Sequence, residues 1–322
     1  MTDLPADAKR GERPAHTPVQ GTAAEAADTG ATDTGAIDTR GTGRVAPLGR
    51  RPMLALAAAS VAALAAPRLA RAADALGKAK AAGILTVASE FHFAPFDFTE
   101  GGKQVGLNAD LFAEIGKELG VKIVFQDLPW ESVLPGLDAG RYDMVGGPAT
   151  ITRARSERYR YTAPIAEATV AFMKRASDKT ITRPEDVAGK AVGSGKATSQ
   201  LQQMQAFVDT LPGKAEVREY VSFSEAYADL AAGRIVAVGN SLPNIAYTAK
   251  QRPNVFATVL PTFGTKSYFG FLGRKDEDSK PLLDAIDAAI DKMRGDGRLA
   301  AAQRKWFGQS FDVPARVTDP AV

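Results

Sequence analysis

The stretch Asp143-Met-Val-Gly-Gly-Pro-Ala-Thr150-Ile-Thr152-Arg-Ala-Arg155 decides the fold and the chemistry that this sequence predicts. It begins as an apolar strand, passes through a turn rich in threonine and ends among arginines. A guanidinium after such a turn offers two parallel N–H donors that match the two oxygens of a carboxylate. We therefore expect Arg155 to hold the carboxylate of a small acid.

Strands and helices alternate on both sides of this stretch, which predicts mostly parallel sheets with helices on their faces. Strands are predicted at residues 84–88, 121–125, 142–145, 168–174, 191–193, 235–238 and 268–272. Helices are predicted at residues 110–119, 130–139, 224–232, 280–294 and 299–306. Two crossings of the chain give a discontinuous first lobe, residues 73–170 and 266–322, and a continuous second lobe, residues 171–265. A hinged cleft then lies between them.

The N-terminal 72 residues have a different composition. Residues 1–47 hold few large apolar side chains, which predicts a disordered extension or a wrongly assigned start codon. Residues 48–72 contain Arg50-Arg51, an apolar stretch over 53–66 and the small-residue site Ala70-Arg-Ala72, the layout of a twin-arginine export signal. The apolar stretch is shorter than the roughly 20 residues of a membrane span. We expect the mature chain to begin near Ala73; the alternative is a surface Arg pair before an Ala-rich helix.

Charge, cysteine and histidine exclude several classes of function. Residues 1–72 carry nine basic and seven acidic side chains, so 31 basic and 30 acidic ones remain, a net charge of +1. Without a long basic block, nucleic-acid binding is not expected. The chain has no cysteine, so disulfides, thiolate chemistry and a lipid-attachment cysteine are excluded. A histidine-based triad or metal centre would depend on His92 alone.

Ordered motifs cover residues 86–308. They are Ala-Pro-Phe at 94–96, Gly-Leu-Asn-Ala-Asp-Leu at 106–111, Trp-Glu-Ser-Val-Leu-Pro-Gly-Leu at 130–137, Gly-Arg-Tyr-Asp at 140–143, Ile-Thr-x-x-Arg at 151–155, Tyr-Thr-Ala-Pro at 161–164, Gly-Lys-Ala-Val-Gly at 189–193, Ala-Gly-Arg at 232–234, Asp-Gly-Arg at 296–298 and Lys-Trp-Phe-Gly at 305–308. By these motifs the chain resembles the polar amino-acid family of periplasmic solute-binding proteins, which serve ABC importers.

The resemblance implies a two-lobed α/β fold of the type II periplasmic-binding class. It also implies a soluble periplasmic monomer that captures an amino acid or related small carboxylate and delivers it to an inner-membrane ABC permease. No cofactor, metal or nucleic acid is expected.

The resemblance also implies a binding site. Arg155 and Thr150 would hold the ligand carboxylate, Phe93 would stack on the ligand side chain, and Trp130 would form a wall of the pocket. Pro148 is a further ligand-binding candidate. Each has a structural alternative, such as packing for Trp130 or an exposed position at a helix start for Arg155. Thr152 is the better candidate for the helix cap, and Phe96 is expected in the core.

The second lobe departs from the family pattern. Thr198 and Ser199 match its hydroxyl-rich loop, although the family's glycine is replaced by Ala197. The family's acidic positions, one of which pairs with the ligand ammonium, are Val236 and Ser241 here. Asn240 or Ser241 would then contact the ligand only as neutral dipoles. A desolvated ammonium without a counter-charge is costly.

Glu90 is the candidate for the missing negative charge. If Glu90 faces the cleft, we expect a zwitterionic or cationic amino acid; if it faces solvent, an organic or keto acid without an ammonium. An enzyme of the same fold, a cyclohexadienyl-type dehydratase, is the alternative function, with Glu90 or His92 as its acid or base. A sensor domain is disfavoured because no further domain follows Phe311.

Overall fold

The computed structural model describes residues 73–322. The predicted disordered segment and export signal lie outside these residues. The α-helices of the described part are α1 Ala75–Ala82, α2 Leu107–Leu119, α3 Trp130–Asp138, α4 Arg153–Arg158, α5 Ser199–Val208, α6 Phe223–Ala231, α7 Leu242–Gln251, α8 Lys280–Gly295 and α9 Arg298–Phe307.

The strands form three sheets. They are β1 Ile84–Ser89, β2 His92–Phe93, β3 Asp97–Glu100, β4 Lys103–Val105, β5 Lys122–Asp127, β6 Met144–Thr150, β7 Tyr159–Tyr161, β8 Ala166–Glu167, β9 Val170–Arg175, β10 Ala191–Gly195, β11 Glu216–Tyr220, β12 Ala237–Ser241, β13 Phe256–Val259 and β14 Tyr268–Arg274.

Each large sheet has one reversed strand. The first sheet has the order β5-β1-β6-β14-β7, with β8 also paired to β14, and β14 is antiparallel to its neighbours. The second has the order β11-β10-β12-β9-β13, and β9 is antiparallel to its neighbours. The chain passes to the second sheet between β8 and β9 and returns between β13 and β14. The predicted two-lobed α/β fold, with mostly parallel sheets and two crossings, is confirmed.

Each predicted strand and helix is present, with shifts at its ends. The strand predicted at 142–145 begins instead at Met144. The carboxylate of the preceding Asp143 accepts hydrogen bonds from the amide (2.7 Å) and hydroxyl (2.6 Å) of Thr86. The elements not predicted are α1, α4, α5, α7, β2 to β4, β7, β8, β11 and β13. Most of these are short or lack a regular apolar repeat.

A buried aromatic cluster anchors α2 to the first sheet. Phe112 of α2 lies with its ring centroid 4.7 Å from that of Phe271 on β14 and 5.5 Å from that of Phe125 on β5. Gly146 of β6 leaves room for Phe112, since a Cβ at this position would overlap the Phe112 ring. The packing therefore fixes β6, the strand that leads to Thr150.

A buried carboxyl group joins the three-stranded sheet β2-β3-β4 to the first lobe. Asp97, fully buried on β3, accepts hydrogen bonds from Ser89 Oγ (2.6 Å), Asn108 Nδ2 (2.6 Å) and Gln104 Nε2 (3.0 Å). Burial raises the pKa of Asp97 to about 7, although these hydrogen bonds oppose the shift. The network ties the end of β1 to β3 and α2, and so positions the segment that follows Ser89.

The parallel strands of the two lobes end at one cleft. In open α/β sheets, ligands bind outside the carboxyl ends of the strands. In the first lobe these ends bring Glu90, Asp127 and Thr150 to one edge, after β1, β5 and β6. In the second lobe, β10 and β12 end at Gly195 and Ser241. The fold therefore places the loops of both lobes around one cleft.

We predict that Gly106→Ala destabilises the fold by roughly 2 kcal/mol or more. Gly106 precedes α2 with φ at +132°, and an added Cβ would overlap the carbonyl of Phe96. Gly295→Ala is the matched control, since it ends α8 with nothing within 4 Å of an added Cβ. Urea unfolding checks both variants; equal midpoints for Gly106→Ala and the native chain would contradict the prediction.

Candidate functional site

The cleft between the lobes encloses about 350 Å³ of empty space, part of it open to solvent. Its lining comes from loops and strand ends of both lobes. The lining residues are Glu90, Phe93, Trp130, Gly147, Pro148, Thr150, Arg155, Thr198, Gln200 and Phe223. Seven of these are among the ten predicted site residues, so the structure brings most of the predicted site together.

Arg155 lies in the first turn of α4 and reaches into the cleft. Thr152 caps this helix, because its hydroxyl accepts a hydrogen bond from the Arg155 amide at 3.2 Å, and the predicted cap is confirmed. The guanidinium donates from Nη1 to the carbonyl of Thr150 (3.4 Å) and from Nη2 to the carbonyl of Ala197 (3.3 Å). It lies 5.5 Å from the ring centroid of Trp130. These long hydrogen bonds hold the guanidinium in place. Both acceptors are neutral carbonyls, so the guanidinium has no carboxylate partner among residues 73–322.

The loop after β10 joins the lobes. The carbonyl of Ala197 also accepts from Trp130 Nε1 at 3.3 Å, so two side chains of the first lobe bind one carbonyl of the second. Next to it, Lys196 Nζ lies 2.7 Å from Glu131 Oε2. Ala197 has φ at +58°, the left-handed region that favours glycine, and is the only non-glycine residue within 73–322 to do so. Ala197, which stands where the family has glycine, therefore keeps the backbone conformation that glycine prefers.

Three aromatic rings enclose the cleft. Phe93 is 8% exposed, and its ring centroid lies 5.5 Å from that of Phe223 on the opposite lobe. Trp130 is 9% exposed and both packs in the core and lines the cleft. Phe96 is fully buried, as predicted for a core residue. Both lobes therefore contribute aromatic surface to the cleft, beside the polar groups of Arg155 and Glu90.

Glu90 faces the cleft. The residue is only 6% exposed, and its Oε1 has no hydrogen-bond partner among residues 73–322. Burial, with repulsion from Asp127 and Glu225, raises the pKa of Glu90 to about 8. The solvent-facing alternative for Glu90 is therefore wrong. A buried carboxyl group without a partner is costly when ionised.

Three predicted residues of the second lobe lie behind the cleft lining. Ser199 Oγ accepts from Gln203 (3.1 Å), and Ser241 Oγ accepts from Gln200 (2.8 Å). Asn240 donates to Tyr227 (2.8 Å) and lines a neighbouring cavity. Their polar groups are therefore engaged within the second lobe.

Thr198 does line the cleft, but its hydroxyl caps α5. It accepts from the Leu201 amide (3.0 Å) and donates to the Gly195 carbonyl (2.6 Å). The second lobe therefore presents less hydroxyl chemistry than expected.

Gly147, Gln200 and Phe223 line the cleft and were not predicted. Gly147 keeps its floor open, since a Cβ there would lie 3.2 Å from Ser89 Oγ and 3.5 Å from the Trp130 ring. Gln200 directly follows the predicted Thr198-Ser199 loop, so the sequence position of Gln200 could have indicated that it lines the cleft. Phe223 starts α6, and its approach to Phe93 depends on how the lobes meet, which no local pattern reports.

Within residues 73–322 no group of three or more His, Cys, Asp or Glu side chains is arranged to hold a metal ion. No helix of this range is long and apolar enough to cross a membrane.

The model of the bacterial extracellular solute-binding proteins, family 3, matches residues 85–309. The chain belongs to this family. The match covers both lobes and every residue of the cleft lining. The resemblance inferred from the motifs is confirmed.

Family members and solved structures of similar sequence agree with this assignment. The L-cystine-binding protein TcyJ of Escherichia coli strain K12 is 30% identical over 235 residues, 72% of this chain and 86% of that protein. An ancestral arginine-binding protein bound to arginine has a TM-score of 0.65 and 32% identity, covering 70% of this chain and 99% of the other. The ancestral amino acid-binding protein AncCDT-1, a precursor of cyclohexadienyl dehydratase, has a TM-score of 0.65 and 28% identity over 73% of this chain and all of the other.

We predict that Glu90→Gln raises stability at high pH only. Below about pH 4.5 Glu90 is protonated in both the folded and unfolded states, so the variant and native chain should match. Between pH 4.5 and 8 the unfolded carboxyl ionises while the folded one does not, so the native chain loses stability that glutamine retains. The gain at pH 8.5 should be on the order of 2–5 kcal/mol, measured by urea unfolding.

The charged groups that act on Glu90 are Asp127 and Glu225; these two residues, Glu90 and His92 line a second cavity beside the cleft. The exposed Glu277→Gln is the control and should show no pH-dependent gain. A Glu90→Gln gain that is equal at pH 4 and pH 8.5 would contradict burial of a titrating carboxyl group.

Proposed function

We propose that this protein is the substrate-binding component of an ABC importer and that its ligand is an amino acid. The observation that carries the proposal is the placement of Arg155 and Glu90 in one cleft, one cationic and one acidic, neither with a partner of opposite charge among residues 73–322. An α-amino acid carries both complementary charges. A carboxylate without an ammonium would leave Glu90 buried and unpartnered.

The carboxylate of the ligand binds Arg155 in a bidentate arrangement, displacing the long bonds of the guanidinium to the carbonyls of Thr150 and Ala197. The ligand ammonium binds Glu90. This contact replaces the acidic residue that the family has at the position of Ser241. Phe93, Trp130 and Phe223 enclose the ligand side chain.

Exchange of partners at Arg155 links binding to the position of the lobes. Arg155 and Trp130 contact the second lobe through Ala197. The ligand gives up the Arg155–Ala197 contact but packs against Phe223 of the second lobe as well as against the first. It favours the closed arrangement to the extent that it binds that arrangement more tightly than the open one. The closed form is the one delivered to a membrane permease after export to the periplasm.

Binding without turnover is the proposal, although one observation favours the dehydratase alternative. Glu90 is buried at the cleft and has a pKa of about 8, which suits a general acid. His92, the other acid or base candidate, is exposed. Incubation with a bound amino acid should return it unchanged; its loss over time would favour the enzyme.

We predict that Arg155→Ala abolishes amino-acid binding without unfolding the chain. At a hundred times its Kd, a true ligand adds about 2.7 kcal/mol to native stability, a clear rise in melting temperature. To identify the ligand, the melting temperature of the ligand-stripped full chain is measured with each amino acid and with each corresponding α-keto acid. Arg155→Ala should lose this rise, because a charge-assisted bidentate contact is removed.

Arg141→Ala is the matched control, because Arg141 is exposed and has no side-chain partner in the described range. It should keep the full rise in melting temperature. Stabilisation of Arg155→Ala by the same ligand would contradict the proposed carboxylate site, and stabilisation of the native chain by keto acids alone would contradict the role of Glu90.

A further inference from the structure

The pairing of β1 with β6 stops just before the floor of the cleft. The last paired residues are Ala88 of β1 and Val145 of β6. The second residue beyond each of them lines the cleft, Glu90 on one strand and Gly147 on the other. Backbone pairing therefore leaves the spacing of the two strand ends, where the cleft opens, to other contacts.

Side chains bridge the two strand ends. Ser89 Oγ donates to Asp97 Oδ2 at 2.6 Å, and Asn108 Nδ2 donates to the same oxygen at 2.6 Å. Asn108 Nδ2 also donates to the carbonyl of Gly146 at 2.9 Å. We call these four residues the floor bridge. It runs from the end of β1, through one carboxyl group and one amide, to β6.

The floor bridge is buried and has one arrangement. Ser89, Asp97 and Asn108 are all fully buried, so water does not compete for their hydrogen bonds. Asn108 Oδ1 has no partner in the part of the chain that the structure describes. A half turn of this amide would place Oδ1 against two other acceptors, the Asp97 carboxylate and the Gly146 carbonyl. Nδ2 therefore stays on both acceptors.

The floor bridge connects the strands that carry the two charged ends of the proposed site. β1 leads to Glu90, and β6 leads to Thr150, whose carbonyl accepts from Arg155. The two strand ends also touch, because a Cβ added to Gly147 would lie 3.2 Å from Ser89 Oγ. A displacement of Ser89 would therefore move both sides of the cleft floor.

We propose that Asp97 and Asn108 are positioning residues of the binding site, which set the separation between the ammonium site at Glu90 and the carboxylate site after β6. The proposal deepens the proposed function and rests on it. Neither Asp97 nor Asn108 lines the cleft, so both act through the strand ends that they hold. Without the floor bridge, Glu90 is free to turn toward the solvent of the neighbouring cavity that it also lines.

The pKa of Glu90 reports its position without any ligand. Burial raises this pKa first, followed by repulsion from Asp127 and Glu225; Tyr227 also faces Glu90. The charge of Asp97 is not among the causes, so a substitution of Asp97 changes the pKa of Glu90 by moving Glu90. Carboxyl-carbon NMR of the full chain, labelled in glutamate, measures the pKa, and Glu90→Gln identifies the signal.

Ser89→Ala, Asp97→Leu and Asn108→Leu should each lower the pKa of Glu90 by about one pH unit or more, because Glu90 gains access to water. Asp97→Asn should leave this pKa unchanged, since an amide oxygen still accepts from Ser89 and Asn108. Ile286→Ala, a core substitution on α8, is the control: it should lower the melting temperature and leave the pKa of Glu90 unchanged.

Amino-acid affinity should follow the same order. The probes are the twenty standard amino acids and cystine, each measured by the rise in melting temperature and then by titration calorimetry. Asp97→Leu and Asn108→Leu should weaken the binding of any amino acid that stabilises the native chain by about ten-fold, the weakening of one charged hydrogen bond. Asp97→Asn should bind like the native chain.

The outcomes separate the two proposals. A lowered pKa of Glu90 in the three disrupting variants, with Asp97→Asn unchanged, supports the inference; Ser89→Ala is the mildest change and decides the matter if a leucine variant does not fold. An unchanged pKa in folded variants, or an equal fall in Ile286→Ala, would overturn the floor bridge and leave the amino-acid site intact. Failure of every probe to bind the native chain would overturn the proposed function, whereas the pKa measurement still decides whether the floor bridge holds Glu90.

Discussion

Burial of the Glu90 carboxyl group is the constraint on which the chemistry of this cleft depends. Glu90 follows β1, whose end is held by the Ser89–Asp97 hydrogen bond, so the fold leaves it little freedom to turn toward solvent. An unpartnered buried carboxylate is unfavourable, and the group responds by keeping its proton to about pH 8. A ligand ammonium would supply the missing partner. Arg155, also in the cleft, carries a positive charge that lacks an anionic partner, which a ligand carboxylate would supply.

The contacts around Ala197 explain how two binding groups of the first lobe sense the second. One carbonyl accepts hydrogen bonds from both Arg155 and Trp130, and the adjacent Lys196–Glu131 ion pair spans the same boundary. The carbonyl takes this direction because Ala197 adopts a left-handed conformation. Any ligand that takes over the Arg155 guanidinium must therefore change a contact between the lobes.

The sequence predicted the fold well because apolar repeats and motif order report local structure. The two-lobed architecture and the cleft positions of Arg155, Thr150, Phe93 and Trp130 were all accessible in this way. The orientation of Glu90 and the inward engagement of Asn240 were not, because both depend on side chains distant in sequence. Phe223 was missed for the same reason. Short strands such as β2 to β4 form through pairing with one another rather than through their own composition.

The most direct test of the account is the number of protons released when an amino acid binds. Calorimetric titration at pH 7 in buffers of different ionisation enthalpy measures this number. If the ligand ammonium pairs with Glu90, whose pKa is about 8 before binding, the native chain should release about 0.9 proton and Glu90→Gln should release none. Binding with no proton release from the native chain would contradict the pairing of Glu90 with the ligand.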